Sequence, residues 1–205
     1  MSLDTLNAAY FRQIARSGDL ETVLRGIQML QEVGISVKIN MVPMRGHNDD
    51  QILPMLDYCL ENNIELRFIE LMKMGHLQNN QEFNSQFFGL EDILTLIGTA
   101  HQFKQIESPK DSTAVRYCVE NLGRFGIIAN ESAPFCEGCN RLRLSANARI
   151  YGCLSSTASH SIKDILMLPR SKAVVEMKKI LGAAISAKQL SSFRGETTVM
   201  KFIGG

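Results

Sequence analysis

A chain of 205 residues with 45% hydrophobic content can bury roughly 70% of its unfolded surface in one or two domains, and no apolar run nears the ~20 residues that cross a bilayer. Lys plus Arg number 22 against 21 Asp plus Glu, a net charge of +1, so no global basic field recruits nucleic acid and any anion site must be local. The five cysteines, three of them in a metal spacing, predict a reducing cytoplasm and argue against a disulfide-stapled secreted chain.

The first 75 residues predict alternating helices and strands. Leu20, Val23, Leu24, Ile27 and Leu30 recur at helical spacing and stop at Gly34, a residue suited to the left-handed position past a helix end. Ser36 to Met44, SVKINMVPM, reads as a strand, and the polar run Arg45 to Asp50 as its turn. Ile52, Met55, Leu56, Cys59 and Leu60 mark the apolar face of a helix over 51–63, and Ile64 to Met72, IELRFIELM, is a second strand. This order of helix, strand, helix, strand predicts parallel crossover units, as in a doubly wound sheet or a β/α barrel. In such sheets ligand groups collect at the carboxyl ends of strands and in the loops that follow.

Two charged residues interrupt these apolar strands. Lys is rarely buried without a partner, so Lys38 predicts a side chain reaching into a barrel interior or cleft, with a solvent-facing edge strand as the alternative. Arg67 alternates with Glu65 and lies near Glu70, so a structural ion pair competes with any binding role.

Farther on, Gly75 to Phe88 is polar and asparagine-rich and predicts a long mobile loop, and Gly89 to Ala100 predicts a short helix. From His101 to Ile128 the character changes. The short strand candidates QFKQIE, AVRYCVE and GRFGIIA are separated by the turns SPKDS and ENLG, so hairpins replace crossovers. A domain boundary is expected near residue 100, with 101–205 forming a mainly antiparallel α+β subdomain. Ser171 to Ala187 predicts a late helix whose buried side is Val174, Val175, Met177, Ile180 and Leu181.

The most specific local signal is FCEGCNRLRLSANARIYGC. Cys136, Cys139 and Cys153 form a C-x2-C-x13-C set in which two thiolates can turn back onto one metal centre and a third can arrive from the next strand. Arg141 and Arg143 alternate with Leu142 and Leu144, so an extended chain sends both guanidiniums to one face while the leucines anchor the other. Guanidinium forks match phosphate or carboxylate oxygens two at a time. Three sulfurs are one short of a full set. Either a protein side chain completes the site, with His160 available for a Cys3His zinc knot, or an open metal position beside two arginines awaits a polyanion such as a nucleoside triphosphate. Spacing alone admits both zinc and iron-sulfur. The chain closes on FIGG, Phe202 to Gly205, whose two residues without Cβ could enter a narrow cleft or be no more than a frayed tail.

FCEGCNRLRLSANARIYGC, VKINMVPMRGHNDDQI, IELRFIELMKMG and the terminal FIGG, in this order, resemble the GTP 3′,8-cyclase family of molybdenum cofactor biosynthesis, which are radical S-adenosylmethionine enzymes. The resemblance runs from Ser2 to Gly205. It implies the last β/α units of an incomplete TIM-type barrel over 1–100, followed by the iron-sulfur subdomain. It implies further that Cys136, Cys139 and Cys153 hold a 4Fe-4S cluster whose fourth iron meets the guanine of GTP. Lys38, Arg67, Arg141, Leu142 and Arg143 would bind GTP, Met72 would contact S-adenosylmethionine, and Gly204 and Gly205 would reach the active site and support radical formation. The family pathway adds cyclic pyranopterin monophosphate synthase as a partner enzyme.

One departure stands against this match. Family members carry an N-terminal C-x3-C-x2-C triplet whose cluster reduces S-adenosylmethionine, and these 205 residues contain none; Cys59 and Cys118 stand too far apart to replace it and predict small core residues. MSLDTL resembles a barrel strand ending in SLD, so the chain is expected to be a C-terminal fragment, about two-thirds of the parent, that binds GTP and a cluster but is inactive alone. Its open sheet edges favour homodimer formation. The alternative is a zinc-stabilised structural or binding module using the same cysteines with His160. A radical enzyme of another class would share the C-x-x-C but would have no reason to keep NRLRL or FIGG.

Overall fold

Residues 1–78, 80–109, 112–154 and 156–188 are described by the computed structural model. They fall into two compact units: Met1–Leu71 with Asn84–Ser132, and Met72–Phe83 with the chain from Ala133 onward.

The first unit begins with a strand-like stub. Met1 to Leu3 runs parallel to β1 (Lys38–Met41), the Leu3 amide donating to the Asn40 carbonyl at 2.9 Å and the Asn40 amide to the Met1 carbonyl at 2.8 Å. Helix α1 (Ala8–Ala15) has no fully buried residue and meets the core only through the partly buried Phe11; Asn7 caps it by accepting from the amides of Ala9 and Tyr10. Helix α2 (Leu20–Glu32) is capped by Asp19 and ends where the sequence placed its stop. Gly34 takes φ 77°, its amide donates to Gln31, and the Ile35 amide donates to Leu30, which is the Schellman closure. Helix α3 (Ile52–Glu61) buries Ile52, Met55, Leu56, Cys59 and Leu60, the face read from its spacing.

Strand β2 (Glu65–Ile69) follows, and then α4 (Asn80–Gln86), α5 (Leu90–Gly98), β3 (Phe103–Ile106), β4 (Val115–Val119) and β5 (Gly123–Ile128). The expected long loop over 75–88 is instead a 3-10 turn at Gly75–Gln78 followed by α4. The five strands form one sheet in the order β1-β2-β5-β4-β3, parallel from β1 through β5 and antiparallel beyond. This displaces the boundary expected near residue 100. Because β5 pairs in parallel with β2, the hairpins extend the first sheet, and the compact unit runs on to Ser132.

One face of the sheet is apolar. Ile39, Met41, Leu66, Phe68, Phe125 and Ile127 are fully buried in a core with Ile27 from α2, Met55 and Leu56 from α3, and Ile93 and Ile97 from α5. Each such side chain contributes about 1.5–3 kcal/mol of burial. Phe125 meets Phe68 edge-on at 6.2 Å and stacks on Tyr117 at 5.1 Å. Glu70, also fully buried, follows β2 and pins the loops: one carboxylate oxygen accepts from the Leu90 amide at 2.9 Å, the other from the amides of Glu131 and Ser132. It therefore serves backbone N–H groups, and Arg67 finds its partner elsewhere.

In the second unit β6 (Arg143–Leu144), β7 (Arg149–Tyr151) and β8 (Ser159–Ser161) make an antiparallel sheet, followed by α6 (Arg170–Ser186). Ile150, Ile162 and Ala184 are buried, with Leu142, Met177, Ile180 and Leu181 packed around them. The buried stripe of α6 is thus 177, 180, 181 and 184; Val174 and Val175, expected inside, are exposed.

Candidate functional site

Period-2 alternation that buries one face of the first sheet puts charge on the other. Lys38, Glu65, Arg67, Arg116 and Arg124 share that face and converge on one carboxylate. Glu65, its side chain only 3% exposed, has one oxygen 2.9 Å from Arg67 Nε and 3.6 Å from Lys38 Nζ, and the other 3.1 Å from Arg124 Nε and 3.6 Å from Arg116 Nη2. Burial alone would raise this carboxyl; the Arg67 hydrogen bond and the charges of Arg67, Lys38 and Arg116 outweigh it and hold the group below its ordinary value. Gly126 lies on the same face. It stands between Arg67 on β2 and Arg116 on β4, and a Cβ there would lie 3.1 Å from the Ala114 side chain and 3.8 Å from Arg67 Cγ. Neither reading of Lys38 holds alone: its side chain is 40% exposed yet paired across the strands with Glu65. A cavity of about 500 Å³ opens at the starts of β1, β2 and β5, lined by Lys38, Glu65, Cys118, Asn121 and Arg124 among others. Cys118 is accordingly half-buried and not a core residue, while Cys59 is fully buried and its thiol is pushed up to about 12 by burial.

The cysteine segment lies in the second unit. All five cysteines are thiols, and Cys136, Cys139 and Cys153 are each half-buried. The C-x2-C turn closes with the Cys139 amide donating to the Cys136 carbonyl at 3.2 Å. Burial raises the Cys139 thiol, but hydrogen bonds from the Arg141 backbone and guanidinium, together with the charges of Arg141 and Lys188, leave it below its ordinary value. The Lys188 ammonium donates to the Cys139 carbonyl at 2.6 Å and lies 3.7 Å from its sulfur. Burial and the charge of Arg141 hold Arg143 below its ordinary value, against the opposing charges of Cys153 and Cys139. Arg141 also stacks over the Phe135 ring at 4.9 Å. Leu142 anchors in the small core as expected, whereas Leu144 is 62% exposed, because β6 is only two residues long and ends at the surface. Among the described residues no three His, Cys, Asp or Glu side chains converge on a metal-sized point, His160 included. The donor chemistry nevertheless fits an iron-sulfur cluster: three thiols, one biased toward thiolate, and cations placed to balance an anionic group.

Met72 lies just past β2, half-buried, its carbonyl accepting from the Met74 amide. Gly204 and Gly205 lie outside the described residues. Sequence reasoning missed Arg116, Arg124 and Lys188. The first two carry the signal that exposed Lys38 and Arg67, an arginine inside an apolar strand; Lys188 gave none.

Two family profiles cover most of the chain. The profile described as Radical SAM superfamily matches residues 1–59, and that described as Molybdenum Cofactor Synthesis C matches 64–193, more than half of the chain. The chain belongs to the Molybdenum Cofactor Synthesis C family. Its relatives include proteins named GTP 3′,8-cyclase from Synechocystis sp., 35% identical over 83% of this chain and 51% of that relative, and from Helicobacter pylori strain J99, 34% identical over 92% and 56%. A third, from Alkaliphilus oremlandii, is 36% identical over 92% of this chain and 57% of its own length. The chain spans about half the length of the curated relatives it matches. The cysteine segment and the face carrying Arg67, Arg116 and Arg124 both fall within the Molybdenum Cofactor Synthesis C match. Among the described residues no helix is long and apolar enough to cross a membrane.

Proposed function

We propose that this chain is the substrate-positioning part of a GTP 3′,8-cyclase, the radical S-adenosylmethionine enzyme that converts GTP into (8S)-3′,8-cyclo-7,8-dihydroguanosine 5′-triphosphate for molybdenum cofactor biosynthesis. The observation that carries the reading is the surrounding of Cys139: a thiol held low by Arg141 and Lys188, with Arg143 near enough to feel its charge and that of Cys153. Cys136, Cys139 and Cys153 would hold a 4Fe-4S cluster, which when bound supplies an iron with an open position for the purine. Arg141, Leu142 and Arg143 are assigned to GTP, the arginines to its phosphate oxygens, and so are Lys38 and Arg67. Met72 is assigned to S-adenosylmethionine, and Gly204 and Gly205 to the support of radical formation. On this reading Met1–Leu3, β1, β2 and β5 are the last strands of an incomplete TIM-type barrel. The work of these residues is to orient the ribose and purine for closure of C3′ onto C8, which is where much of the rate of such a reaction resides. Thiolate ligation calls for a reducing compartment, the cytoplasm. The product passes to cyclic pyranopterin monophosphate synthase, and the chain self-associates through its open sheet edge.

The test is iron, acid-labile sulfide and zinc per chain after anaerobic reconstitution, followed by a spectral titration with GTP. About four irons and four sulfides, with a spectrum perturbed by GTP, are expected. About one zinc per chain that survives reconstitution would replace the reading with a zinc-stabilised module. The 205 residues are expected to be inactive alone, and GTP cyclisation by them would refute the restriction to positioning.

A further inference from the structure

We infer that Arg116 and Arg124 are polyphosphate-binding residues, completing with Lys38 and Arg67 a four-cation clamp on the polar face of the first sheet. The identity of the ligand, the triphosphate of GTP, rests on the reading above; the clamp itself rests on geometry.

Four cations gather on a single carboxylate, so three positive charges are uncompensated there. Among the described residues none of the four makes an ion pair with any acid but Glu65. Strands do not assemble like charges without cause, since each cation placed beside another costs stability. Glu65 also uses little of what these side chains offer. A guanidinium carries five N–H donors in a fixed fork, and Arg67 and Arg124 each turn their Nε toward Glu65, leaving both terminal nitrogens to other partners. Arg116 is the telling member: its Nε is buried and has no acceptor, and Glu65 Oε2 has no hydrogen-bonded donor despite the charges near it. Phosphate oxygens are the acceptors that engage the guanidinium nitrogens Glu65 leaves unused and neutralise the excess charge together. The arrangement is specific to arginine. Lysine at 116 or 124 would keep the charge and lose the fork.

The cavity at the strand starts gives room on the Lys38 and Arg124 side of Glu65, while Arg67 and Arg116 stand outside its lining. Its lining includes Lys38, Glu65 and Arg124, and its volume of about 500 Å³ lies within the range of small-molecule sites. Glu65 is the fixed point of the clamp: a buried carboxylate that stays ionised holds the cations in place before any ligand arrives.

The experiment is calorimetric titration of the 205-residue chain with inorganic tripolyphosphate, GTP and guanosine, for wild type, Arg124→Ala and Arg116→Lys. Arg124 is 57% exposed, so its truncation leaves folding intact, as thermal melting would verify. Arg124→Ala is expected to weaken tripolyphosphate and GTP alike by about tenfold and to flatten the salt dependence of both. Arg116→Lys is expected to lose affinity although its charge is kept. Natively melting variants that bind tripolyphosphate as wild type does would overturn the clamp while leaving the GTP reading intact. Binding of tripolyphosphate by wild type, lost in the variants, with no gain from the guanosine moiety, would uphold the clamp and remove the GTP reading. Failure of wild type to bind either anion would overturn both.

Discussion

Gly152 lies between β7 and Cys153, and replacing it with alanine tests how the cysteine segment is supported. A Cβ at this position would sit 1.9 Å from the Ala184 carbonyl oxygen and 2.9 Å from its carbon, in the backbone of α6. A carbon-oxygen contact settles at about 3.3 Å, so the gap must open by ~1.4 Å. The obstacle is main chain and cannot swing aside as a side chain would. Helix α6 would have to slide off Ile150 and Ile162, weakening the contacts of Met177, Ile180, Leu181 and Ala184. Gly152 does not occupy the left-handed region, so alanine brings no backbone strain and the whole cost is steric. Overpacking of this kind costs about 1–3 kcal/mol, and the rigidity of the obstacle puts Gly152→Ala near 3. Gly182, on the same helix, is the control: nothing lies within 4 Å of its absent Cβ, and alanine there should stabilise by about 0.5–1 kcal/mol. Urea unfolding of both variants measures the difference, and iron uptake on reconstitution should fall only for Gly152→Ala. A loss below about 0.5 kcal/mol at Gly152 would refute the close approach of α6 to this strand end.

Two further outcomes follow from the ionisable groups. The Glu65 carboxyl is lowered in the folded chain, so its stabilisation is fully present above the ordinary value of about 4.5 and is lost as pH falls from there through the lowered one. Thermal melting of Glu65→Gln should therefore decline less steeply than wild type below pH 4.5, and parallel profiles would sink the assignment. In the chain without metal, iodoacetamide at pH ~8 should label Cys139 well before Cys59, whose thiol is raised to about 12 by burial. Peptide mass spectrometry that finds equal rates under native conditions would show that the two environments are wrongly drawn.

Local chemistry made much of this protein legible. The helix stop at Gly34 and the buried face of α3 followed from spacing, since a helix face returns every three or four residues and only Gly reaches φ 77° without strain. The thiol pair of the C-x2-C turn and the anchoring of Leu142 were equally local. Misreadings came where local signals were thin. Helix α1 touches the core only through Phe11, α4 lies in a polar asparagine-rich run, and β6 is too short for its alternation to fix Leu144 inside. On α6 the apolar residues extend past the contact they make, so Val174 and Val175 looked interior although the core reaches only from Met177 to Ala184.

By itself the sequence determined the apolar faces of α2 and α3, the stop at Gly34, and the resemblance that leads to molybdenum cofactor synthesis. Only the tertiary structure decided that β5 lies beside β2, which carries the hairpins into the first sheet and brings Arg116 and Arg124 to the carboxylate that already held Lys38 and Arg67. The reason is that side-chain period is a property of one strand, whereas strand order is a pairing of hydrogen bonds between segments nearly 60 residues apart. Alternation says that an arginine faces away from the core, and pairing alone says which acid it meets there.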